Sequence, residues 1–456
     1  MSSPFFGISI TSSALRAFEA ALNVTGHNLA NVNTEGYSRQ IVEFASYPPL
    51  IAYGLRPFTV GSGTAIQQVQ RVRDQFIEGR FLQTNFEGAR LQQMLTTLQH
   101  IQTIVAEPGI PGISDALSSF LNAWHQLSVQ PDSDSARLHL RLQAENLVAR
   151  VRDAHARFMQ LNTQLNQETP AVINQINDLA RRIHDLNDQI RRETATGVTP
   201  NNLLDQRDRL IQELSSLVDI SLNRHQDGTI SLYINQHTLV DPHHYSPVPT
   251  NYNPATSTLT DGTRSILIRG GKLAGLLNGI QALTIYRNSL DIFVNELRTQ
   301  VNVLHQTGVN LNGTTLIDFF AGTTGAGDFD LAQEIRSDLR NIAAGTTGAP
   351  GDGGVALAIA GLRDLPLSVL GNQSLITYYN NLVGQIGQDV SFYQDGWDTQ
   401  KAVLVQLDNQ RKSISSVNLD EELATMIRFQ RSFQAAAKAL TIIDQTTEEL
   451  IRSFGR

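Results

Sequence analysis

The sequence predicts a mainly α fold: paired terminal coiled-coil helices, an elongated α-helical bundle domain and a small inserted β domain. Three observations predict it. Apolar residues recur at a three/four spacing through most of the 456 residues, which places them on one side of a helix. Both ends of the chain carry heptad seams, the pattern of helices that pack lengthwise. Period-two alternation dominates only in residues 220–269. A chain of this length also exceeds one compact core.

In chain order, Ile8, Leu15, Leu22 and Leu29 repeat at every seventh residue with Phe18 and Val32 between, and the stripe ends at Asn31 to Asn33. Residues 37–69 break into short runs separated by Pro48-Pro49, Gly54, Gly61 and Gly63, which predict an extended arm with turns. A helix through Leu91, Met94, Leu98, Ile101 and Val105 is followed by a turn at Pro108-Gly109 and Pro111-Gly112. The next helix carries Ile113, Leu117, Phe120, Trp124 and Leu127. Leu140, Ala144, Leu147, Val151, Ala154, Phe158, Leu161 and Leu165 keep the spacing over 136–168, about 50 Å of helix at 1.5 Å per residue. Pro170 predicts a break, after which Ile173, Ile176, Ala180, Ile183 and Ile190 resume the stripe.

Beyond Gly197 and Pro200 comes a helix through Leu210, Ile211, Leu214 and Leu217, then the alternating residues Ile230, Leu232 and Ile234 after the Asp227-Gly228 turn. Two more long stripes follow, from Leu276 to Leu304 and from Leu375 to Tyr393, with glycine-rich segments between them that predict mobile surface loops. No exact long repeat stands out. The last helix places Leu419, Met426, Phe433 and Leu440 at one heptad position, with Phe429, Ala436, Ile443 and Leu450 at the other. Alone, each terminal helix would expose its stripe, so the two ends are expected to pair with each other or with other subunits. The expected domains are 1–90 plus 413–456, 91–218 plus 272–412, and 219–271.

Composition excludes several classes of function. With no cysteine there are no disulfides, thiolate metal sites or cysteine nucleophile. A net charge of -8, with 35 basic residues scattered among 43 acidic ones, argues against a nucleic-acid binder. The start lacks a basic residue before Arg16, so no cleavable secretory signal is expected, and no run of about 18 apolar residues predicts a membrane span.

Motifs for chemistry are equally sparse. His243 and His244 adjoin Asp241, but neighbours on an extended chain face opposite ways, so the pair reads as loop histidines and no metal or other cofactor is expected. Residues 322–327 are rich in glycine yet lack the Gly-Lys-Ser/Thr ending of a phosphate loop. Asp205-Gln206-Arg207-Asp208 reads as a polar helix face with ion pairs, and the arginine pairs 181–182 and 191–192 as solvated faces. No enzyme is expected.

One passage stands apart: Leu22-Asn23-Val24-Thr25-Gly26-His27-Asn28-Leu29-Ala30-Asn31-Val32-Asn33-Thr34-Glu35-Gly36-Tyr37-Ser38-Arg39-Gln40. Asparagine side chains compete for backbone hydrogen bonds and end a helix, and Gly36 can take a positive φ, so this is a helix end turning into an arm. Asn28, Ala30, Asn31, Asn33, Thr34, Gly36 and Tyr37 match the N-terminal signature of the flagellar rod, hook and hook-associated axial proteins, which this chain resembles. The continuation Ser38-Arg39-Gln40 is similar to the type 1 hook-associated branch. At the other end, Asn418-Leu419-Asp420-Glu421-Glu422 and Ile427-Arg428-Phe429-Gln430-Arg431-Ser432-Phe433 resemble that family's C-terminal helix. The likeness also touches Arg71-Val72-Arg73 and Leu203-Leu204-Asp205-Gln206-Arg207-Asp208. Departures are Phe433, where the family often has Tyr, and Glu35, where rod and hook relatives often have Pro.

The resemblance implies a structural protein, exported uncleaved through the flagellar type III apparatus and located in the extracellular flagellum at the junction of hook and filament. Implied partners are a ring of neighbouring copies, the hook protein, a second junction protein and a small export chaperone on the C-terminal helix. Nucleic acid and membrane insertion are not among them. Leu15, Phe18, Leu22, Leu29, Leu419, Met426, Phe429, Phe433, Leu440 and Ile443 are then the residues of inner-layer and partner packing. Asn28, Ala30, Asn31, Asn33, Thr34, Gly36, Tyr37 and Arg39 are the axial-family N-terminal motif, of which Asn28, Asn31, Asn33, Gly36 and Tyr37 set the turn into the arm. Alternative readings are another axial component, such as the second junction protein or a hook or rod protein, or a secreted coiled-coil binding protein.

Overall fold

The computed structural model describes residues 5–52, 58–106, 112–349 and 351–454. Its elements run α1 (Phe5–Ala30), β1 (Gln40–Ser46), β2 (Leu50–Ala52), β3 (Phe58–Val60), β4 (Thr64–Arg71), α2 (Gln75–Ala106), α3 (Ile113–Val129), α4 (Asp134–Thr194) and α5 (Asn201–Leu217). There follow β5 (Ser221–Arg224), β6 (Ile230–Ile234), β7 (His237–Val240), β8 (Asn251–Asn253), β9 (Thr258–Thr260), β10 (Ser265–Leu267) and α6 (Gly271–Gln306). The chain ends with β11 (Phe320–Ala321), β12 (Asp330–Leu331), α7 (Gln333–Ser337), α8 (Gly354–Ala360), α9 (Leu375–Ser415) and α10 (Leu419–Phe454). The architecture is mainly α, and the turn expected at Pro108-Gly109 and Pro111 lies outside the described residues.

Two compact units divide the chain: Met1–Phe86 with Gln175–Val248 and Lys401–Arg456, and Glu87–Asn174 with Pro249–Gln400. Residues 175–248 thus group with both termini. The strand-rich stretch forms two three-stranded antiparallel sheets, β5-β6-β7 in the first unit and β10-β9-β8 in the second.

The helical stripes bury as their spacing predicts. In the second unit Leu98, Ile101, Leu117, Phe120, Trp124, Leu140, Val151, Phe158, Leu276, Val294 and Leu375 are all closed to solvent. Phe120, Trp124, Phe319, Phe320 and Phe329 form an aromatic cluster with ring centroids as close as 4.6 Å between Phe320 and Phe329. In the first unit Ile176, Ala180, Ile183, Ile190, Leu214 and Val218 are buried, as are Ile230, Leu232 and Ile234 of β6.

The break expected at Pro170 does not occur: α4 runs through it as one helix of 61 residues. Proline removes the donor that would reach the carbonyl four residues back, here that of Asn166. The Tyr252 hydroxyl stands at that gap, donating to Asn166 Oδ1 at 2.6 Å and lying 3.4 Å from the Asn166 carbonyl oxygen. Tertiary pairing therefore overrides the local signal.

The glycine-rich segments are built loops rather than linkers. The Asp328 carboxylate accepts the backbone N–H of Thr323 at 2.8 Å, Thr324 at 3.0 Å and Gly325 at 3.2 Å. Asp352 does the same for Thr346 and Thr347, both at 2.9 Å, and for Gly354 at 3.0 Å. Both loops share the string Gly-Thr-Thr-Gly-Ala, at 322–326 and 345–349, a short exact repeat followed by the capping aspartate.

Arg137 is 1% exposed, and its guanidinium donates to three backbone carbonyls, of Pro131 at 2.6 Å, Ile342 at 2.6 Å and Leu339 at 3.3 Å. His305, also 1% exposed, donates from Nδ1 to the Ile317 carbonyl at 2.6 Å and accepts the Ala343 N–H on Nε2 at 2.9 Å.

Candidate functional site

The two terminal helices pair antiparallel within the first unit: Gly7 of α1 lies against Ile443 of α10, and Asn28 against Glu422. The most buried line on α1 is Ala17, Ala21, Thr25 and Asn28, at helical three/four spacing. Ala17, Ala21 and Thr25 on this line are small, and larger residues flank it. Leu15, Phe18, Leu22 and Leu29 are half-buried, as are Met426, Phe429, Phe433, Leu440 and Ile443, while Leu419 is 47% exposed. Phe44 of β1 bridges the pair, its ring 6.2 Å from that of Phe18 and 6.1 Å from that of Phe429.

The motif residues form the turn that joins α1 to β1. Thr34 N–H donates to the Asn31 carbonyl at 2.9 Å and Tyr37 N–H to the Thr34 carbonyl at 3.2 Å, with Gly36 at φ +79° between them. Open space surrounds the missing Gly36 Cβ beyond 3.8 Å, so the left-handed backbone and not crowding favours glycine here. Asn31 closes the helix end through Nδ2 to the His27 carbonyl at 2.9 Å. Asn33, Thr34, Glu35 and Gly36 are exposed, as is Ala30. They stand beside an open recess of about 1070 Å³, whose walls include Arg209 and Glu213 of α5 and Asp408 and Lys412 of α9.

Asn28 is the centre of the site. At 1% exposure its side-chain amide uses all four of its hydrogen-bonding positions. Oδ1 accepts the Tyr37 hydroxyl at 2.7 Å and the Gln40 N–H at 2.9 Å. Nδ2 donates to the Gln40 carbonyl at 2.9 Å and to Glu422 Oε2 at 3.1 Å. Arg39 completes the Glu422 carboxylate, Nε to Oε1 at 2.7 Å, and reaches Glu421 at 3.1 Å. Burial raises the Tyr37 phenol well above its ordinary pKa, and the carboxylates of Asp205 and Glu422 add to that, so it stays a donor.

The next layer belongs to α5. Ser38 donates to Asp205 from N–H at 3.1 Å and from Oγ at 2.7 Å, and Gln40 Oε1 accepts from Asn201 at 3.2 Å. Arg71 of β4 bridges Asp205 at 2.7 Å and Asp208 at 2.9 Å, and Arg73 joins Asp208 at 2.8 Å. Burial works against these charges, but the opposite ones outweigh it: Arg71 titrates higher than usual and Asp208 lower. Arg207 points away from this cluster to Asn187 Oδ1 and the Gly228 carbonyl, and burial lowers its pKa to about 10. The polar helix face expected at 205–208 is thus the anchor of the arm. The structure brings Asn28, Tyr37 and Arg39 together with Ser38, Gln40, Asp205, Asp208 and Glu422, which the sequence shows only as separate segments of the family likeness.

The other histidine and acid candidates hold no such convergence. Asp241 accepts the backbone N–H groups of His243 and His244 at 2.8 and 2.7 Å, which occupies it as a turn cap. Among the described residues no group of three or more metal-ligating side chains converges, and no helix is long and apolar enough to cross a membrane.

Comparison with known proteins agrees with this geometry at three places in the chain. Residues 98–320 match the family model described as the flagellar hook-associated protein FlgK helical domain, residues 411–453 the flagellar basal body rod FlgEFG protein C-terminal model, and residues 8–37 the flagella basal body rod protein model. The flagellar hook-associated protein 1 of Bacillus subtilis is 28% identical over 100% of this chain and 99% of its own length. That of Escherichia coli is 27% identical over 96% of this chain and 98% of its own. In fold, the flagellar hook junction protein FlgK from Burkholderia pseudomallei superposes with a TM-score of 0.64 at 16% identity, covering 74% of this chain and 100% of that one. With both terminal motifs, the helical middle and near full-length relatives in agreement, the chain belongs to the flagellar hook-associated protein 1 family, structural proteins of the bacterial flagellum that associate with its other axial components.

Proposed function

We propose that this chain forms the junction between hook and filament, after export, with α1 and α10 as an inner layer shared among a ring of neighbouring copies. The observation that carries the reading is the unfinished surface of α10. Leu423 is 40% exposed, Ile427 52%, Ile442 54% and Ile451 62%, so this helix offers apolar residues to the outside as well as to α1. A stripe of this kind marks a protein interface, and a ring closes it by meeting the same surface on the next copy. The hook protein and a second junction protein are the partners at the two sides of the ring. A small export chaperone would cover α10 before assembly. The role is structural: the motif residues shape a turn, and the packing residues join helices.

Phe433→Asp tests the reading, because a charge on the half-buried face of α10 opposes helix packing. The variant is expected to be absent from hook tips and to leave cells without filaments, while the circular dichroism and unfolding of the second unit stay as in the parent. Normal filaments from that variant would sink the idea.

A further inference from the structure

Residues 37–40 bond to four different elements in four consecutive positions. Tyr37 reaches Asn28 of α1, and Ser38 reaches Asp205 of α5. The Arg39 side chain holds Glu422 at the start of α10, while its own N–H donates to the carbonyl of Ser415, the last residue of α9, at 2.8 Å. Gln40 returns to Asn28 by both backbone groups and to Asn201 by its side chain. Arg39 therefore spans the three-residue hinge between α9 and α10, holding one side by backbone and the other by side chain.

Glu422 makes this arrangement conditional. It is 2% exposed, and a carboxylate buried without partners is strongly disfavoured. Its partners, Asn28 Nδ2 and Arg39, are both set by the arm: Asn28 is oriented by Tyr37 and Gln40, and Arg39 by its place in the strand. The arm in turn is held on α5 by Asp205, Asp208 and Asn201. Elsewhere on α10 the only other buried residue among those described is Thr447, and a slip of one turn, about 5.4 Å, would strand Glu422.

We propose that residues 37–40 are a latch that makes docking of the C-terminal helix depend on prior seating of the N-terminal arm on α5. It acts within one chain and does not depend on what the helices meet outside it. Disorder of the arm undocks α10, and by reciprocity undocking of α10 loosens the arm.

Hydrogen exchange on the full chain tests this with two variants. Asp205→Asn sits on α5, where the carboxylate bonds to Ser38 and Arg71 of the arm and not to α10. It is expected to raise amide exchange in residues 419–430 about tenfold together with residues 38–46, with α6 unchanged. Glu422→Gln should loosen both segments likewise. If Asp205→Asn loosens the arm and leaves α10 as protected as in the parent, or if Glu422→Gln loosens α10 alone, the latch is overturned. Should Asp205→Asn fail to fold, Ser38→Ala removes the same link more gently and reads the same two segments.

Discussion

In the second unit Phe120, Trp124, Phe319 and Phe329 are closed to solvent within one aromatic cluster, whereas on α10 the described residues bury only Glu422 and Thr447. The first region satisfies its apolar surface within the chain. The second satisfies its polar groups within the chain and leaves much of its apolar surface unmet. The difference separates two tasks: a dry core gives stability to the isolated molecule, while a set of polar bonds fixes the start of a helix whose apolar residues stay exposed.

The comparison can be broken first at the core. Phe120→Ala is expected to lower the stability of the second unit by about 3–5 kcal/mol, as for large aromatic truncations in packed interiors, measured by urea unfolding. A loss below about 1 kcal/mol would mean that the cluster is not closed as described.

Acid should also act on that unit. Burial pushes the His305 imidazole down to about 4 from an ordinary 6.5, so between these values the unfolded chain binds a proton that the folded one refuses. Stability is therefore full above pH 6.5 and falls as pH drops towards 4, by about 3 kcal/mol in all. Thermal unfolding followed across that range should show the slope, and His305→Gln should flatten it.

The smallest effect is expected on α10. Ile427→Ser, at a position 52% exposed, should change the stability of the isolated chain by less than about 0.5 kcal/mol. A loss above about 1.5 kcal/mol would show that this face is already covered within the monomer, and the contrast with the aromatic core would fail.

Much of this was legible in the sequence, because periodicity reports burial. Every residue from Leu140 to Leu165 named for its spacing is buried, and so are Ile173, Ile176, Ile183 and Ile190. The turn at 31–37 was legible from asparagine and glycine chemistry. The latch was not, since Asn28 meets a partner 394 positions away and Glu422 reads locally as one of three acids in a first helical turn. Periodicity cannot reveal a polar pair that only the fold brings together. Pro170 misled for the same reason: the hydroxyl that stands at its gap comes from Tyr252, 86 residues after Asn166. The glycine loops misled through composition, which reports freedom in the unfolded chain and not the carboxylate that removes it.

Those twin loops have a consequence for the charge of the surface. Backbone N–H groups hold Asp328 at a pKa of about 2, and those of Gly354 and Thr347 hold Asp352 below the usual carboxylate range. Both carboxylates thus resist protonation more than an ordinary surface aspartate does. Each loop is tied to its own counter-dipole, which favours both its form and its negative charge as pH falls.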